Sequence, residues 1–135
     1  MKKFLFILPV LFITTVPLSA QDGDEGNSNI RDKMNEYIQR RLNLSKEEAA
    51  KFSPVFLEYF KEWRRTLKEN RGDKLEMQKK IIDLRIRYRI RFREILGEQR
   101  GNQVFGHQET FIREIRHLRQ ERLRNRAGTT LPGRN

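Results

Sequence analysis

Leu84-Arg85-Ile86-Arg87-Tyr88-Arg89-Ile90-Arg91-Phe92-Arg93 alternates five apolar residues with five arginines. Taken alone, a period of two is the signature of a half-buried strand. The flanks argue for a helix. Asp73 and Glu76 form a D-x-x-E start, and no Gly or Pro interrupts Lys74 to Leu96, a run far longer than an ordinary strand. At about 100° per residue the segment carries two apolar stripes. One holds Ile81, Leu84, Tyr88, Phe92 and Ile95; the other holds Ile82, Ile86 and Ile90. Arg85, Arg89 and Arg93 lie between the stripes on one side, Arg87 and Arg91 on the other. A second stripe calls for a second neighbour, which could be another helix, a second subunit or a bound chain.

Outward from this helix the same periodicity gives an all-α chain. Before it, Ser45 and Glu48 form a capping box that starts a helix at Lys46, with Phe52, Phe56, Tyr59, Trp63 and Leu67 as its stripe. Pro54 removes a hydrogen bond inside that helix and predicts a kink near Ala50. Five aromatics on this one segment make it the heaviest part of the core, Trp63 included. Asn70-Arg71-Gly72 is a short turn that makes the second and third helices antiparallel. A shorter first helix carries Ile30, Met34, Tyr37 and Ile38. The fourth runs from about Glu98 to Asn125, with Val104, Phe111, Ile115 and Leu118 on one face. Gly101 and Gly106 predict weak first turns there.

The N-terminus sets the compartment. Met1-Lys2-Lys3, an apolar run from Phe4 to Leu18 and Ser19-Ala20 read as a secretory signal peptide over 1–20. The run is short for a span of about 20 residues, and an uncleaved anchor is the competing reading. Residues 21–29 read as a flexible leader, 30–126 as one helical domain and 127–135 as a disordered tail. Cleavage after Ala20 removes two of the 29 basic residues, leaving a clear excess over the 18 acids. The excess is local: Arg85 to Arg126 holds twelve basic and five acidic residues. Such a face suits acidic protein segments, nucleic acid or an anionic membrane. Export sets nucleic acid aside and places the protein in the periplasm.

Chemistry is sparse. The chain has no cysteine, so no disulfide framework and no thiolate metal site. It has no phosphate loop, no G-x-S-x-G and no H-E-x-x-H, which speaks against an enzyme and implies no cofactor. His107 and His117 are too far apart on one helix to share an ion. His117 with Glu114 and Glu121 reads as a surface histidine rather than a metal site.

Leu42-Asn43-Leu44-Ser45-Lys46-Glu47-Glu48, with Phe52, Pro54 and Tyr59 after it, resembles the first motif of the Spy/CpxP family of periplasmic proteins, which carries two L-T-x-x-Q segments. Ser45 stands in the place of the capping Thr and Glu48 in that of the Gln. Leu96-Gly97-Glu98-Gln99-Arg100 falls at the second segment, with Gly97 for Thr and Arg100 for Gln. The resemblance implies four antiparallel helices in a hooked hairpin arrangement, paired as a cradle-shaped homodimer. It also implies an ATP-independent chaperone of the envelope stress response, or a partner that damps a membrane sensor or an anti-sigma factor. The metal-sensing branch relies on His- or Met-rich segments that this chain lacks. The arginine-rich third helix suggests the client face: Arg85, Ile86, Arg89, Ile90 and Arg93, steering unfolded or acidic segments by charge and holding them by apolar contact. That assignment comes from the stripe and is not a family motif.

Overall fold

The computed structural model describes residues 22–129. The expected signal peptide, and the tail beyond Thr129, lie outside the described residues. Four helices follow in order: α1 (Asp22–Arg41), α2 (Lys46–Glu69), α3 (Lys74–Leu96) and α4 (Glu98–Gly128). No strand occurs among the described residues. The arginine–apolar alternation is therefore helical, and Asp73 starts the helix by accepting the Glu76 amide at 3.0 Å.

Helix α1 begins at Asp22, so residues 22–29 are helix and not the expected flexible leader. Asn27 is held from α2, accepting from Arg64 at 2.8 Å. At the other end, α1 closes in a Schellman turn. Asn43 takes φ 52°, and the Asn43 and Leu44 amides reach back to the Arg40 and Gln39 carbonyls at 3.2 and 3.1 Å. Asparagine tolerates this left-handed geometry better than most residues. Ser45 then caps α2 at once: its hydroxyl accepts the Glu48 amide, and Glu48 accepts the Ser45 amide, both at 3.2 Å. One helix ends and the next begins within four residues.

Helix α2 runs unbroken through Pro54. Phe52, Phe56 and Tyr59 are fully buried, and Phe92 of α3 and Val104 of α4 are equally inaccessible. Phe52 meets Phe92 at 5.3 Å between centroids, while Tyr59 meets Tyr88 at 5.4 Å and Phe105 at 5.3 Å. These tilted and edge-on contacts add to area burial. Ascending residues of α2 meet descending residues of α3, so the two are antiparallel. Met34, Ile38 and Leu42 bring α1 into the same core. Trp63 is half-buried against it, beside Phe60.

Helix α4 shows why Gly101 is not a weak point. Gly101 is buried, and a Cβ there would stand 2.7 Å from the Arg93 nitrogen and 2.8 Å from its Cα. Both are backbone atoms of α3. The missing side chain lets the two helices meet just after their connection. Gly97 caps the helix start just before Glu98, and its φ of 85° and ψ of 168° lie in a region essentially reserved for glycine. The helix continues to Gly128, beyond the expected end near Asn125. Ala127 and Gly128, expected as tail, are thus helical.

Candidate functional site: the outer face of α3

The five arginines of the opening stretch divide between two seams. Successive arginines two residues apart point about 200° apart on a helix, so alternate ones reach opposite neighbours. Arg91 pairs with Glu58 at 2.8 Å and Arg87 with Glu62 at 3.3 Å, both on α2. Tyr88 donates to Glu62 at 2.7 Å. Desolvation, then the Glu62 carboxylate, pushes its phenol up to about 12.

Arg85 faces α4. It donates to Glu109 at 2.8 Å, lies within reach of the Tyr59 hydroxyl and the Gln108 carbonyl, and stacks 5.4 Å from the Phe105 centroid. Burial works against its charge, but the bonds to Tyr59 and Glu109 outweigh it and hold its pKa above the ordinary arginine value. Tyr59 in turn donates to Gln108 at 2.7 Å in the fully buried centre. Arg93 donates to Asn102 at 2.7 Å and backs Gly101. Two of the three arginines expected to meet a client, Arg85 and Arg93, thus hold α3 to α4.

Arg89 differs. It is exposed, and no hydrogen-bond or ionic partner stands beside it among the described residues. Between the two seams, the face of α3 turned away from the core carries Ile82, Ile86 and Ile90, exposed by 57%, 48% and 55%. Leu75, four-fifths exposed, continues the row by helical spacing, a residue the sequence reading passed over. From Leu75 to Ile90 the row spans about 22 Å at 1.5 Å per residue. Beside it runs a shallow groove of about 190 Å³ between Ile82, Arg85, Ile86, Arg89 and Phe105. Ile86, Ile90 and Arg89 therefore share one open surface with a groove bordered by Phe105.

The two motif-like segments meet in space. Arg100, four positions past Leu96, reaches Glu48 of the capping box through both of its terminal nitrogens, one at 3.1 Å from Oε1 and the other on Oε2. The pair ties the start of α4 to the start of α2. The Glu48 carboxyl sits below its ordinary range, chiefly through the Arg100 bond and then the Ser45 amide. Leu96 is buried, Leu44 is half-buried, and Gly97 offers no side-chain cap. The signal was present in the sequence as opposite charges at matching motif positions, 48 and 100.

His117 is exposed with Glu121 at 3.6 Å. His107 is partly buried, which with nearby Arg41 lowers its pKa. No group of three or more potential metal ligands stands together among the described residues. No helix among the described residues is long and apolar enough to cross a membrane. No family model, no curated protein and no solved structure matches this chain.

Proposed function

We propose that the chain is an exported, ATP-independent holdase of the Spy/CpxP kind, which binds unfolded protein segments on the outer face of α3 and works as a cradle-shaped homodimer in the periplasm. The observation that carries this reading is the open row Ile82, Ile86 and Ile90 beside the unpaired Arg89. Complete burial of an isoleucine is worth about 1.5–3 kcal/mol, and each of these is already about half covered. A client would gain about 1 kcal/mol per residue, or about 3 kcal/mol over the row. A 1 mM complex needs about 4 kcal/mol. The face suits weak capture of many sequences, with arginine attracting acidic stretches before apolar contact forms. Phe105 and the Arg85 guanidinium offer a flat surface on which an aromatic side chain can stack.

Light scattering from a denatured, unrelated client tests it. The mature chain at near-stoichiometric amounts should suppress aggregation, and Ile82→Ser/Ile86→Ser/Ile90→Ser should lose most of that effect. Leu123→Ser, which removes another exposed leucine on α4, should keep it. Absence of suppression by the unaltered chain would refute the holdase and turn attention to a dedicated sensor or anti-sigma partner.

A further inference from the structure

A second concave surface lies away from the α3 face. Where the start of α1, the last turns of α2 and the middle of α4 converge, a cleft of about 290 Å³ is walled by Ile30, Met34, Trp63, Leu67, Ile112 and Ile115. Its charged residues are all arginines: Arg64, Arg116 and Arg119. Arg116 and Arg119 are exposed and have no acidic partner among the described residues. Arg64 donates to Asn27 at 2.8 Å, a bond that links α2 to α1 at the cleft's edge.

We infer that this cleft binds a single-chain aliphatic carboxylate, its hydrocarbon among the isoleucines and Trp63 and its headgroup between Arg116 and Arg119. The volume stands at the lower edge of the about 300–1,000 Å³ of small-molecule sites. A helix with its side chains is about 10–12 Å across, so one turn of about 5.4 Å takes up more than about 400 Å³, above the cleft's volume of about 290 Å³. An extended peptide would bring backbone N–H and C=O groups against apolar walls, where each unpaired group is costly. An acyl chain brings none. Its one charge falls where unpaired guanidiniums can grip a carboxylate through two parallel bonds.

Trp63 is the protein's single tryptophan and lines the cleft, so its emission is a built-in reporter. Laurate, titrated below its micelle-forming concentration, should change Trp63 emission saturably with one site per chain. Dodecanol, which keeps the chain length and lacks the charge, should bind at least tenfold more weakly. Arg116→Gln/Arg119→Gln should weaken laurate by a similar factor while its melting curve stays in place. The alcohol comparison uses the unaltered chain and stands even if the variant folds poorly.

Equal affinity for acid and alcohol, or a signal that never saturates, overturns the proposal. So does saturation by an acidic, apolar peptide with none by laurate, which would assign the cleft to a protein partner. Aggregation suppression reads the α3 face instead, so failure of either reading leaves the other standing.

Discussion

Two glycines on α4 should respond in opposite directions to the same substitution. At Gly106 an added Cβ meets nothing within 4 Å, and the residue is exposed. Gly106→Ala should therefore gain most of the helix-propensity difference, about 0.8–1 kcal/mol. At Gly101 the same methyl would lie 2.7–2.9 Å from three atoms of Arg93, two of them backbone. Backbone cannot swing aside, so α3 and α4 must separate or tilt. Overpacking of that kind costs about 1–3 kcal/mol, which cancels or exceeds the propensity gain and leaves a net loss of up to about 2 kcal/mol. For a domain of this size 1 kcal/mol moves the melting temperature by about 4 °C. Thermal unfolding followed by circular dichroism should show Gly106→Ala melting about 2–4 °C higher and Gly101→Ala lower by up to about 8 °C. If both alanines raise the melting temperature, the helices are not in contact at Gly101 and the tight α3–α4 seam is wrong.

Gly97→Thr, which would restore the residue of the resembled motif, should destabilise by about 1–3 kcal/mol, because Gly97 stands at φ 85° and ψ 168°; denaturant melts measure it. Glu48 has a depressed pKa in the fold, so its contribution is present above the unfolded-state pKa and lost as pH falls through the lower folded value. Between about pH 7 and about pH 3 the melting temperature should fall less steeply in Glu48→Gln, whose side chain can still close the capping box. Arg100→Gln should flatten the same slope, and the double variant should add nothing further. Arg85→Met should lower stability by more than Arg89→Met, since only Arg85 is bonded to Tyr59, Gln108 and Glu109. Chemical denaturation of the two variants makes that comparison.

Much of this architecture can be read from local chemistry. Ser45 with Glu48, Asp73 with Glu76 and the apolar stripes place α2 and α3 within a residue or two, because caps and periodicity are written in neighbouring residues. Residues 22–29 escaped that reading: polar side chains and Gly26 resemble a linker, and Asn27 is fixed from Arg64, 37 positions away. Gly101 looked like a breaker because its worth depends on the Arg93 backbone of another helix. At the α3 face the two stripes were legible, and so was the side each arginine takes. Which arginines would be consumed in packing was not. Arg85 and Arg89 have the same spacing and type, yet only Arg85 finds Glu109 and Phe105 opposite it. Partners supplied by a distant helix decide between them.

The central claim is that the isoleucine row of α3 touches unfolded chains. A photoreactive amino acid in place of Ile86, irradiated with several unrelated denatured clients, reads that contact directly. The same residue in place of Arg65, exposed on α2, is the reference. The account predicts cross-links to every client from position 86 and few from position 65. Cross-links from position 86 only to a second copy of the chain, or equal yields from both positions, would contradict it.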